Sequence, residues 1–190
     1  MPRFRFTSVA LILTLVAISA WLPIYPAEAD SADARATKTV ILVRHAEKCT
    51  EPASDPGLTS LGIERAESLR NTLKDVSVDA IYSTPFERTL LTVKGLSEDH
   101  DLEIIETPVS AGFLERLVQT IQQSEDAVIV VSGHSNTTAR VVNLLAGTDY
   151  PDLEESEYDR LFVVHIPESE KPVVTALRYG PSSGPSSSPC

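Results

Sequence analysis

Thr39-Val40-Ile41-Leu42-Val43-Arg44-His45-Ala46-Glu47 runs from five strand-forming residues directly into an arginine and a histidine. A short apolar, β-branched run without polar alternation reads as a strand buried on both faces, the habit of a parallel sheet. The pattern recurs downstream, where residues 128–132 lead into Gly133-His134-Ser135. Open parallel α/β sheets bind ligands at the carboxyl ends of their strands. Arg44, His45 and His134 are therefore expected to share one site.

Around these two runs the chain alternates between strand and helix patterns. Strands are expected at residues 39–43, 80–83, 103–106 and 127–132, with helices at 60–74, 85–96, 111–123 and 136–145. Thr59 or Ser60 can cap the first helix, whose apolar stripe is Leu61, Ala66, Leu69 and Leu73. Pro85 suits a first-turn position, where its missing N–H costs little. Residues 158–166 and 172–179 are two further strands with no helix between them, hence a hairpin at one side. The fold class is α/β, a three-layer α/β/α sandwich around a mostly parallel sheet.

Bulk properties bound the rest. The 190 residues suffice for one well-buried domain, and a formal charge of −11 argues against nucleic acid or an anionic membrane as partner. Residues 1–29 read as a secretory signal peptide: Arg3 and Arg5 precede an apolar run at 9–20, and Ala27-Glu28-Ala29 offers a small-x-small cleavage site. That run is shorter than the roughly 20 residues of a spanning helix. The expectation is an exported protein, periplasmic or extracellular, with no stable membrane anchor after cleavage. Residues 30–38 form a polar leader, 39–179 the folded domain, and 180–190 a flexible Gly/Pro/Ser tail. Cys49 and Cys190 are the two cysteines. An oxidising compartment permits their pairing, but a bridge between such distant positions is not deducible from sequence, and the flexible tail favours leaving them unpaired. Cys49 has only Lys48 beside it to activate a thiolate, a weak case for a nucleophile.

The chemistry falls at the strand-to-helix junctions. Arg44 and His45 end the first strand, Arg88 lies early in the helix after the second, and His134 follows the fourth. Guanidiniums offer planar, bidentate donors that suit phosphate and stay charged at any relevant pH. A neutral imidazole nitrogen can attack phosphorus while its other nitrogen is fixed as a donor. Singly, each residue has an ordinary explanation, since a histidine at a strand end is commonly a hydrogen-bonded structural group and an arginine on a helix a solvated charge. His100 and His165 are read that way, and the acidic stretch at 149–159 as a solvated loop. The ordered set of four is harder to dismiss.

These residues resemble the histidine phosphatase superfamily, also called phosphoglycerate mutase-like, and in compactness its small cap-less phosphatases. The resemblance rests on Arg44-His45-Ala46-Glu47, on Leu58-Thr59 with Gly62 and Arg65-Ala66, on Tyr82-Ser83-Thr84-Pro85 with Arg88-Thr89 and Thr92, and on Gly133-His134-Ser135-Asn136-Thr137, in family order. It implies a phosphoglycerate mutase-like fold and a phosphohistidine mechanism. His45 would be the nucleophile, Arg44 and Arg88 would bind the phosphoryl oxygens, and His134 would add a donor or positive charge. No metal or cofactor is implied.

The sequence departs from the clearer family patterns at the acid that protonates the leaving group. Some members carry an acidic residue directly after the second histidine, where this chain has Ser135. Glu106 is preferred, because it ends the third strand. Glu115 occupies about the family's usual place but falls on a polar helix face, and Glu47 equally suits a structural partner for a nearby base. Taken together, the expectation is an exported phosphomonoesterase acting on a small phosphorylated substrate. The alternatives are a phospho-ligand binding protein without turnover and a phosphoryl mutase. Substrate identity and oligomeric state stay open.

Overall fold

The computed structural model describes residues 37–183, 187–188 and 190. The expected signal peptide and nearly all of the leader lie outside the described residues. In chain order the elements are β1 (Lys38–Arg44), β2 (Lys48–Cys49), α1 (Ser60–Leu73), β3 (Ala80–Ser83), α2 (Glu87–His100), β4 (Ile104–Glu106), α3 (Phe113–Gln123), β5 (Val128–Gly133), α4 (Ser135–Ala146), β6 (Arg160–Ile166), β7 (Val173–Arg178) and β8 (Ser187–Ser188).

Six strands form one sheet in the order β4-β3-β5-β1-β6-β7. β1, β3, β4 and β5 are parallel, and the β6–β7 hairpin adds antiparallel to β1. β1 sits in the interior of the sheet, which explains its unbroken apolar run. Val40 and Leu42 face one side, against Ile129, Val131 and Phe162 of the sheet, Leu117 and Ile121 of α3, and Val142 and Leu145 of α4. Ile41 and Val43 face the other, against Leu69 and Leu73 of α1 and Val93 and Leu96 of α2. Period-2 alternation across a sheet covered on both faces makes the three-layer α/β/α sandwich. No helix among the described residues is long and apolar enough to cross a membrane.

Thr59 caps α1, its side-chain oxygen accepting from the Gly62 N–H at 3.1 Å. The face of α1 is not the simple stripe expected: Leu69 and Leu73 are buried with Gly62 and Arg65, while Leu61 and Ala66 are only half-buried. A buried arginine replaces apolar residues because it has a buried partner, described below. Pro85 is not in the first turn of α2, which starts at Glu87 after Phe86. A proline disfavours helical backbone in the residue before it, Thr84, so it keeps the segment between β3 and α2 extended.

Described parts of the tail attach to the domain. Cys49 and Cys190 form a disulfide across a sequence separation of 141, and Ser187–Ser188 pair in parallel with Lys48–Cys49. Composition gave no warning, because the tail is held by a covalent bond and backbone pairing rather than by an apolar face. Closing so long a loop restricts the unfolded chain, an effect typically worth about 2–4 kcal/mol. Cys190→Ser is expected to lower the unfolding free energy in urea by about that amount. An unchanged midpoint, or free thiols at both positions in the native protein, would contradict the bridge.

Candidate active site

Register builds the site. In the parallel β1–β5 pair, Arg44 stands opposite Gly133, and the His45 N–H donates to the Gly133 carbonyl at 2.9 Å. Both chains leave the sheet at the same height, so His45 and His134 emerge side by side with ring centroids 5.4 Å apart. β3, on the far side of β5, ends at the same level and delivers Thr84 and Arg88. The cleft above these strand ends has a volume of about 490 Å³ and is lined by Arg44, His45, Arg88 and His134, with Lys48, Phe86, Val109, Phe113, Asn136 and Glu155 around them.

His45 is 3% exposed, and its Nδ1 lies 2.8 Å from the Ala46 carbonyl oxygen. Only a protonated Nδ1 can donate to that acceptor, so the ring presents a bare Nε2 to the cleft. Burial pushes its pKa well below the ordinary value of 6.5, opposed by the hydrogen bond to Ala46 and reinforced by Arg44, His134 and Arg88. His134 is pushed down to about 4, by burial first and then by Arg88 and Arg44. Its Nε2 meets the Thr84 hydroxyl at 2.9 Å, and its backbone N–H donates to Thr137 Oγ1 at 2.8 Å. Both imidazoles are thus neutral at pH 7, which leaves Arg44, Arg88 and Lys48 as the basic side chains of the cleft lining.

Arg44 is 1% exposed yet fully employed on one side. Its Nη1 donates to the carbonyls of Glu154, Glu155 and Glu157 at 2.8–3.1 Å, Nη2 pairs with Glu155 Oε2 at 3.1 Å, and the guanidinium lies 4.0 Å from the centre of the Tyr158 ring. Arg88 stacks on Phe86 at 4.4 Å and meets Asp55 at 3.5 Å. The Nε atoms of both arginines are buried without a hydrogen-bond partner among the described residues. A buried, unsatisfied charged donor is costly, and two of them at one cleft match an anion with several acceptor oxygens.

Behind the cleft, Glu47 and Arg65 form a buried bidentate pair, Nη2 to Oε1 at 2.7 Å and Nε to Oε2 at 2.9 Å, with Arg65 Nη1 donating to the Tyr179 carbonyl. The Glu47 carbonyl accepts the Thr59 N–H at 2.9 Å, and a Cβ on Gly62 would lie 2.2 Å from that same oxygen. Gly62 is therefore the residue that lets α1 approach the segment after His45. From α2, Thr92 Oγ1 accepts the Ala46 N–H at 2.9 Å. These contacts fix the Ala46 carbonyl, which fixes the tautomer of His45.

The structure brings Arg44, His45, Arg88 and His134 together, but not the expected acids. Glu106 pairs in register with Ser83 and turns to the α2 face, where it is exposed in a separate groove beside Leu90, Leu91 and Lys94. The strand end is at the right height, but its side chain has the wrong facing. Glu115 is exposed on α3 and does not line the cleft. Glu47 is committed to Arg65. The acidic stretch at 149–159, expected to be solvated, instead folds over Arg44 and carries Glu155 to the cleft, where Oε1 accepts from the Ser135 hydroxyl at 3.0 Å. No periodicity signals that return, because backbone carbonyls and the isolated buried side chains Leu153 and Tyr158 anchor it rather than a continuous apolar face.

The sequence profile of the histidine phosphatase superfamily (branch 1) matches residues 40–109. Phosphoserine phosphatase 1 of Hydrogenobacter thermophilus is 39% identical over 72 residues, which cover 35% of this chain and 34% of that protein. The alignment therefore spans about a third of that relative's length. Among solved structures, the protein histidine phosphatase SixA complexed with tungstate superposes with a TM-score of 0.62 at 20% identity, covering 74% of this chain and 96% of that one. Phosphoglycerate mutase from Bacillus anthracis gives 0.57 at 12% identity, covering 77% and 94%. The fold is phosphoglycerate mutase-like. The stretch that matches the histidine phosphatase superfamily, residues 40–109, carries Arg44, His45 and Arg88, and the fold agrees with that match.

The depressed pKa of His134 has a measurable sign. The unfolded chain, with the ordinary value of 6.5, binds the proton more readily than the folded state, pushed down to about 4. His134 thus contributes stability that is present above pH 6.5 and lost as pH falls towards 4. An NMR titration of the unliganded protein is expected to place the midpoint of the His134 ring near pH 4. A midpoint at the ordinary value would refute the desolvated site.

Proposed function

We propose that this protein is a phosphoric monoester hydrolase working through a phosphohistidine on His45. The observation that carries the reading is the neutral, tautomer-fixed imidazole of His45 beside two arginines whose Nε donors are buried and unsatisfied. Arg44 and Arg88 hold the phosphoryl oxygens of a small phosphomonoester, and their charge stabilises the transition state. His45 Nε2 attacks phosphorus as the ester oxygen departs on the opposite side. Water then attacks phosphorus, the P–N bond breaks, and its electron pair returns to Nε2. His134 donates a hydrogen bond to the phosphoryl group. The open cleft gives water access to the intermediate, which favours hydrolysis over a mutase reaction that must retain it. The relatives named as a phosphoserine phosphatase and a protein histidine phosphatase support the same reaction class.

Export belongs to this proposal. The signal-like residues 1–29 and the Cys49–Cys190 bridge, suited to an oxidising compartment, support it. N-terminal sequencing of protein from the producing cell should begin after Ala29, and an intact Met1 would contradict cleavage.

The catalytic reading is tested by steady-state assay on an activated aryl phosphate and an alkyl phosphate. Hydrolysis of at least the aryl ester is expected, with His45→Ala abolishing it and Arg44→Ala or Arg88→Ala each lowering kcat/KM by about 10²–10³. No hydrolysis of either ester by the wild type between roughly pH 4 and 9 would leave a binding protein instead.

A further inference from the structure

Glu155 holds a position that the steps above do not use. Among the described residues lining the cleft it is the one carboxylate, its side chain 75% exposed, with Oε2 on Arg44 and Oε1 on Ser135. Its backbone is pinned, and its exposed side chain is held by those two contacts alone. The carbonyls of Glu154, Glu155 and Glu157 accept from Arg44, the Leu153 N–H donates to the Ser135 carbonyl at 2.9 Å, and Asp152 pairs with Arg140. The carboxylate therefore stands at a fixed edge of the cleft and reaches inward.

Direction of attack decides what stands next to the leaving oxygen. His45 is buried on the cleft floor, so in-line displacement from its Nε2 sends the ester oxygen outward, towards the mouth where Glu155 is exposed. We propose that Glu155 is the catalytic acid that protonates the leaving oxygen, and the base that activates water in the second step. This rests on the phosphohistidine reading of the same site. When the phosphoryl group engages Arg44 it displaces the Glu155 side chain from Nη2 and leaves it beside the departing oxygen. The P–N bond to His45 then forms, the P–O ester bond breaks, and the Glu155 proton passes to the departing oxygen to give the alcohol. In the return step Glu155 takes a proton from the attacking water, the P–N bond breaks, and inorganic phosphate leaves with the carboxyl reprotonated. Asp55 is the nearest rival, but its Oδ1 accepts the Glu87 N–H at 3.0 Å and faces Arg88 away from the cleft lining.

The experiment compares kcat/KM of wild type, Glu155→Gln and Asp55→Asn on the two esters. An alkyl leaving group needs a proton and a nitrophenyl group barely does, so Glu155→Gln is expected to lose about 10²–10⁴ on the alkyl ester. On the aryl ester it should stay within a few-fold of wild type, which also shows that the variant is folded. Asp55→Asn is expected to change both substrates by one common factor. Equal losses on both esters for Glu155→Gln, or an unchanged rate on the alkyl ester, would overturn the assignment. Wild-type turnover through His45 would survive either outcome, so failure of the acid is distinguishable from failure of the phosphatase reading, in which neither ester is cleaved.

Discussion

The parallel register of β1 against β5 is the constraint on which the site depends. It sets Arg44 opposite Gly133 and makes the His45 N–H to Gly133 carbonyl bond a last rung of the ladder. A slip of one residue would turn every side chain of β1 to the opposite face, moving Val40 and Leu42 out of one core and Ile41 and Val43 out of the other. Burial on both faces therefore fixes the register, and the register places two imidazoles side by side. The hydrophobic core and the geometry of the cleft are specified by the same residues.

Placing two arginines and two histidines around one cleft raises an electrostatic problem that the fold resolves by dividing labour. The imidazoles give up their charge through burial and the neighbouring guanidiniums, which leaves His45 with the lone pair a nucleophile needs. The arginines keep theirs by engaging carbonyls, aromatic faces and carboxylates on their outer sides. A buried ion pair rarely adds net stability over apolar packing, but removing one partner leaves an uncompensated charge. Glu47–Arg65 accordingly acts as a rigid brace behind His45 rather than as a source of affinity for substrate.

Much of this was legible in the chain. The strand and helix alternation could be read because both faces of the sheet are covered, so each element carries a strong apolar pattern. Arg44, His45 and His134 could be read because topology puts strand ends at one edge, and Arg88 because the helix after β3 begins beside that edge. What escaped depends on polar or covalent attachment. Arg65 interrupts the expected stripe of α1 and is understood only once Glu47 is beside it. Glu106 has the right height and the wrong facing, a distinction that needs the β3–β4 register. The stretch around Glu155 returns through carbonyls and the isolated buried residues Leu153 and Tyr158, and Cys190 through a disulfide, none of which leaves a periodic trace in sequence.

The central claim is that His45 carries the phosphoryl group, and the most direct measurement is a rapid-quench experiment with a phosphomonoester labelled in the phosphoryl group. Label is expected on the protein before free phosphate appears, stable to alkali, lost in acid and mapped to the peptide containing His45. Turnover with no label on the protein, or with label on any other residue, would contradict the account.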